Sequence, residues 1–157
     1  MHAAMQVAAP MFQESERREW MGLLARAPLP LLEAWVSRQP ERAVSWLRKP
    51  ETGLAMVRGR AGATGAQFNL GEMTITRCAL KLAGAVSGVA YVQGRSARKA
   101  EIAALADALL QTPDAATVRR ELIEPVRARL DAEASRQRRK AQATKVEFFT
   151  LAREAGE

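Results

Sequence analysis

Three evenly spaced glycines, Gly59, Gly62 and Gly65, with Thr64 beside the last, form the stretch GRAGATG at residues 59–65. Glycines at such spacing let a backbone approach a phosphate closely, and a threonine hydroxyl can serve a phosphate oxygen or a bound Mg²⁺. The element after the loop decides whether it can do so. A phosphate-cradling loop runs strand, glycine loop, helix and closes on Lys-Ser or Lys-Thr, because the helix N-terminus and its free N–H groups hold the anion. Here the loop runs into AQFNLGEMTIT, which reads as strand, and no GKS or GKT closes it. A dinucleotide fingerprint also demands a following helix, and the GxGxxG spacing is not met. The residues therefore predict a connection between antiparallel strands, with Gly62 or Gly65 at positive φ where the chain reverses.

The remaining chemistry is sparse. Arg58, Arg60, Arg77 and Arg95, with Gln93 beside the last, could meet an anion. The plainer reading, which we favour, is that they are solvated strand ends or salt bridges at a subunit contact. Glu72 follows Gly71, the setting of a turn or edge-strand carboxylate. His2 is the one histidine, near the start of the chain, so no Ser-His-Asp or Cys-His arrangement and no histidine-based metal site can be built from this chain. Cys78 is the one cysteine, which excludes an internal disulfide and a CxxC pair. It lies in the apolar run TITRCALKL and reads as a buried, inert thiol. No catalytic residue and no metal ligand is assigned.

The elements that must position these residues change period along the chain. ESERREWMGLLARA, residues 14–27, reads as a helix with Ser15 as its cap and Trp20, Leu23, Leu24 and Ala27 on one face. Pro28 ends it, and PLLEAWVSRQ follows as a second helix with Pro30 in its first turn, which predicts a packed helical pair. AVSWLRK and LAMVRGR then read as short strands separated by the turn cluster PETG. In FNLGEMTITRCALKLA, Thr74, Thr76, Cys78, Leu80 and Leu82 point one way, while Ile75, Arg77, Ala79 and Lys81 point the other. That is one buried face and one half-wet face. GVAYVQG adds a further strand. The links are too short for crossover helices, so the strands pair antiparallel. Helices return at SARKAEIAALADALLQ, capped by Ser96, and at TPDAATVRRELI, capped by Thr112 or Asp114; Pro125 breaks that run or starts a new helix. The fold class is α+β: an N-terminal helical pair, an antiparallel four- to five-stranded meander sheet, and C-terminal helices packed on it. Residues 1–13 read as a flexible N-terminal arm and residues 14–157 as a single domain.

The totals agree with one folded domain. Of 157 residues 48% are hydrophobic, enough for a core and too many for a disordered chain. No apolar run reaches the roughly 18–20 residues of a membrane helix. The first residues, MHAAMQVAAPMFQ, lack the basic region of a signal peptide, which makes the expected location cytoplasmic. The net charge of +7 asks for an anionic partner. Nucleic acid is the weaker reading, because aromatic residues are only 5% and no RNA- or DNA-reading motif is present.

The segments ETGLAMVRGRAGATGAQFNLGEMTITRCALKL, GVAYVQGR, AEIAALADALLQ and ASRQRRKAQATKVEFFTLARE together resemble the PhnG family, a subunit of the bacterial carbon–phosphorus lyase system. ETGL, TGxxFNLGEMTITR, YVQGR and KVEFFT are specific in combination. The resemblance runs from about residue 15 to near the end of the chain. It implies a small cytoplasmic subunit of a phosphonate-degrading complex. It also implies partnership with PhnH, PhnI and PhnL in a step where an alkylphosphonate displaces adenine from MgATP. The product of that step is ribose 1-methylphosphonate 5-triphosphate. PhnJ, an iron–sulfur radical enzyme, then breaks the C–P bond, and PhnK docks as an ATPase-like component. The adenine displacement is attributed in the family to PhnI. By that resemblance this chain binds no cofactor of its own, MgATP being a substrate of the complex. Arg58, Arg60, Gly62, Thr64, Gly65, Glu72, Arg77, Gln93 and Arg95 become the candidate anion or subunit contacts.

The tail supplies a first prediction. Arg136, Arg138, Arg139, Lys140 and Lys145 precede the apolar cluster Val146, Phe148, Phe149 and Leu151, more hydrophobic surface than a domain end needs. Deleting residues 141–157 is expected to cost assembly or solubility, measured as the yield of complex on co-expression. A truncated chain that still assembles fully would overturn the expectation.

Overall fold

The computed structural model of the chain describes residues 12–62, 64–83 and 86–143. The tail cluster from Val146 to Leu151 lies outside the described residues. Two helices, α1 (Glu14–Arg26) and α2 (Leu29–Val36), lead into three strands, β1 (Val44–Arg60), β2 (Gln67–Leu82) and β3 (Ser87–Gln93). Three helices follow: α3 (Ala97–Leu109), the single turn α4 (Ala115–Val118) and α5 (Glu124–Ala143). The expected α+β class is what forms, with its strands antiparallel in the order β1-β2-β3.

Among the described residues the strand count is three, not four or five. The PETG cluster is no turn: Pro50 to Gly53 lie inside one continuous β1. Pro50 is tolerated because β1 is an edge strand and its pairing with β2 shifts register between Arg48 and Glu51. The two short runs therefore merge. Nor do α1 and α2 form a pair packed on one another. α1 packs mainly on β3 and α3, and α2 mainly on α3. Trp20, Leu23 and Leu24 of α1 and Leu32 and Trp35 of α2 enter the same core from these separate positions. The cap of α1 is also displaced. Gln13 holds the N-cap position, its N–H donating to Glu16 Oε2 at 3.2 Å, and Ser15 falls inside the first turn.

The period-two reading of β2 holds. Thr76, Cys78, Leu80 and Leu82 are buried against α3, while Arg77 and Lys81 are exposed on the open face. Helix α3 is built for closeness, with Ala100, Ala103, Ala104, Ala106 and Ala108 all buried. A Cβ on Gly88 of β3 would stand 1.9 Å from the Ala104 carbonyl oxygen and 2.8 Å from Ala108 Cβ, so only glycine lets strand and helix backbones approach this far. Ser96 caps α3 as expected, its Oγ accepting from Lys99 N at 3.3 Å. Between α4 and α5 the helix widens into a π turn at Arg119–Ile123, and Pro125 sits in the first turn of α5.

One buried carboxylate ties the layers together. Asp107 of α3 is fully buried. Its Oδ1 accepts from Trp20 Nε1 at 2.8 Å and Arg17 Nε at 3.1 Å; its Oδ2 accepts from Arg17 Nη2 at 2.7 Å and Val89 N at 2.9 Å. Gln111 Nε2 adds a bond to the Ser87 carbonyl at 2.9 Å. The carboxylate thus joins α1, α3 and the free edge of β3. Asp107→Ala would leave the indole N–H, the Val89 N–H and the guanidinium without that acceptor. It is expected to cost about 3–5 kcal/mol of unfolding free energy, read from urea denaturation of the isolated chain. A loss below about 1 kcal/mol would deny this carboxylate its organising role.

Candidate subunit interface and anion-binding residues

The glycine loop is the tip of a hairpin. β1 ends at Arg60 and β2 begins at Gln67, so the loop has a strand on either side. Gly62 takes φ +66°, as expected for one of the two glycines. Gly65 is required for a different reason: a Cβ there would lie 2.2 Å from the Ala61 carbonyl oxygen. Arg60 Nη1 donates to the Gly65 carbonyl at 3.4 Å, closing the tip.

The candidate residues gather in three places rather than one. Arg58, Arg60, Gly62, Thr64 and Gly65 occupy the tip, where Arg58 and Thr64 are exposed and have no partner among the described residues. Glu72 lies exposed farther down β2, opposite Met56. Arg77 stands mid-sheet on the open face, its Nε donating to Glu51 Oε1, which Arg48 also engages. Those two guanidinium groups, Arg48 first, hold the Glu51 carboxyl below the usual carboxylate range. Gln93 and Arg95 are exposed at the end of β3. Among the described residues no group of three or more His, Cys, Asp or Glu side chains is placed to hold a metal ion. Cys78 is buried, and desolvation, with a smaller contribution from Glu101, pushes its thiol up to about 11. It is protonated at neutral pH, a poor nucleophile.

Two features escaped the sequence reading. The first is the length by which the hairpin outruns the sheet. β3 pairs with β2 only from Ile75 to Lys81, so Leu54–Arg60 and Gln67–Thr74 form a two-stranded ribbon. Directly opposed residues of an antiparallel pair share a face. Thr52 and Thr76 lie on the helix-covered face, so Leu54, opposite Thr74, and Met56, opposite Glu72, extend that face beyond the helices. Ala55, Val57, Met73 and Ile75 extend the other. A bulge at Leu70 shifts the register between Val57 and Arg58. The side chains of Leu70 and Phe68 then lie over Gly59, where a Cβ would meet both at 3.8 Å. Leu54 is 64%, Met56 54%, Phe68 45% and Leu70 66% exposed. The signal was present in LAMV at 54–57, four apolar residues without the alternation of a half-wet strand.

The second is Thr76. Fully buried, it donates to the Gly94 carbonyl at 2.7 Å, accepts from Ser96 N at 3.2 Å and meets Thr52 Oγ1 at 3.1 Å. Gly94, at φ +88°, turns the chain from β3 into α3, and Thr76 fastens that turn to the middle strand.

With this geometry in view, the family model described as phosphonate metabolism protein PhnG matches residues 15–154. The chain belongs to the PhnG family. A relative from Rhizobium meliloti (strain 1021), named alpha-D-ribose 1-methylphosphonate 5-triphosphate synthase subunit PhnG, is 43% identical over 140 residues, which cover 88% of this chain and 90% of the relative. The PhnG match spans both the packed body and the ribbon, so neither is an addition outside the family region.

Thr76→Val keeps the shape and removes the hydroxyl, taking that partner from the half-buried Gly94 carbonyl and Ser96 N–H. The expected loss is about 1–3 kcal/mol of stability by thermal or urea unfolding. Wild-type stability in that variant would show that the turn into α3 holds itself.

Proposed function

We propose that this chain is a subunit of the carbon–phosphorus lyase core complex. In that role it serves the step in which an alkylphosphonate displaces adenine from MgATP to give ribose 1-methylphosphonate 5-triphosphate. Its own part is structural. The observation that carries the structural role is the ribbon, whose Leu54, Met56, Phe68 and Leu70 stand in water in the isolated chain. Exposed apolar side chains of that size in one contiguous element mark a surface that an assembly covers. The kinship with a protein named as a synthase subunit supplies the assembly. PhnI, PhnH and PhnJ are the proposed companions, with PhnL and PhnK as ATPase-like components, in the cytoplasm. No helix among the described residues is long and apolar enough to cross a membrane.

The chemistry of the step supports this division of labour. In the displacement, a phosphonate oxygen forms a bond to the ribose anomeric carbon as the carbon–nitrogen bond to adenine breaks. The departing base takes up a proton. That calls for an acid at the base and for cations along the triphosphate, converging on one substrate. In this chain the tip arginines, the Glu51–Arg77 pair and Arg95 lie in separate places. The second reading is that Arg58 and Arg60 reach the triphosphate in a site shared with other subunits. It is favoured by one observation: neither arginine has an acidic partner among the described residues.

The isolated chain is expected to release no adenine from MgATP, with or without an alkylphosphonate, by chromatographic assay; Mg²⁺-dependent release would overturn the structural role. Thr64→Ala separates the two readings. It is expected to change stability by no more than about 0.5 kcal/mol and to leave synthase activity per assembled complex unchanged. Normal assembly with most activity lost would place the tip on substrate.

A further inference from the structure

A two-stranded ribbon with exposed apolar side chains on one face can lie flat on a partner; this ribbon carries them on both, with Thr74 and Glu72 beside Leu54 and Met56 on one of the two. Leu54 and Met56 project from the helix-side face, and Phe68 and Leu70 from the open face. Among the described residues no third strand flanks it on either edge, because β1 is the edge of the sheet and β3 stops opposite Ile75. An isolated hairpin of this kind is marginally stable in water, and strands covered on both faces lose their polar alternation, as LAMV has.

Charge then selects the cover. Glu72 is the one acidic residue between Gly53 and Thr74, against Arg58 and Arg60. Where the ribbon meets the body, Met73 and Ile75 of the open face also line a cleft of about 530 Å³ with Tyr91 and Val92 of β3 and Ala25 of α1. Arg26 and Lys99 border that cleft, and no carboxylate lines it. A second copy of the chain would bring the same cations and a net charge of +7 to meet its own, which opposes self-association.

We propose, resting on the subunit reading above, that the ribbon is clasped on both faces by another protein subunit. The receiving cleft is apolar within and rimmed by carboxylates that meet Arg58 and Arg60. The bulge at Leu70 fits this arrangement, since it places Leu70 beside Phe68 on the open face while Arg58 and Arg60 stay in line with Leu54 and Met56 on the other.

The test co-expresses the full chain with the other subunits of its synthase and compares variants on each face. Leu54→Asp marks the helix-side face and Leu70→Asp the open face. Both side chains are exposed, so both variants are expected to fold, checked by circular dichroism melting of the isolated chain. Each is expected to lower the yield of assembled complex at least tenfold, and Arg58→Glu combined with Arg60→Glu to do the same. Hydrogen exchange at residues 54–58 and 68–74 is expected to slow on assembly. If only one aspartate variant matters, the ribbon lies flat and the clasp is overturned. If neither matters while the wild-type chain assembles, the ribbon is not the contact and the subunit reading survives without it. A wild-type chain that never co-purifies defeats the subunit reading itself. A free chain that sediments as a dimer, dissociated by either variant, assigns the ribbon to a second copy and overturns the proposal.

Discussion

The body of this protein depends on a carboxylate placed where water cannot reach it. Asp107 stands in a run of alanine and leucine on α3, and a buried charge there is tolerated only because four N–H groups converge on it from α1 and β3. That demand fixes more than one contact. It sets the height of α1 against the sheet edge, since Arg17 and Trp20 must reach the same carboxylate. It also occupies the Val89 N–H on the free side of β3, where another strand could otherwise pair. The close approach at Gly88 belongs to the same constraint, because the carboxylate of α3 can meet the β3 backbone only if the two elements nearly touch.

How far this was legible depends on the kind of signal each feature leaves. The hairpin nature of GRAGATG was readable because the residues after it alternate as a strand, which leaves no helix terminus to hold a phosphate. The buried face of β2 was readable from its period. The merging of two strands into β1 was not. Pro50 and Gly53 are turn residues in most settings, and only an edge position with shifted register makes them part of a strand. The separate docking of α1 and α2 was hidden as well, because a short link constrains distance and not which neighbour each helix prefers. Asp107 did leave a mark, a lone acid inside EIAALADALLQ, but its donors lie about 90 residues upstream and 18 upstream in the chain. No local pattern joins them.

The candidate site divides along the same lines. Arginines and glycines announce themselves by type, so the tip was singled out at once. The apolar residues that flank it did not, since Leu54 or Phe68 in a strand reads as core until the structure shows that no core lies there. The molecule therefore has two parts with opposite logic. In the body, the helices and the inner face of the sheet bury their large apolar groups and the buried acid is matched, with Trp46, Leu47 and Tyr91 the large apolar groups left exposed. In the ribbon, apolar groups are uncovered on both faces and the arginines at the tip await a counter-charge.

That contrast has a consequence for the life of the protein before assembly. A copy released without companions carries a two-stranded element with exposed apolar side chains, a form that can recruit further strands into aggregates. The residues that join it to a complex thus also make a surplus copy hazardous. The ratio in which the subunits are synthesised becomes a physical requirement of this fold, and unassembled chains are natural clients for holdase chaperones and proteolysis.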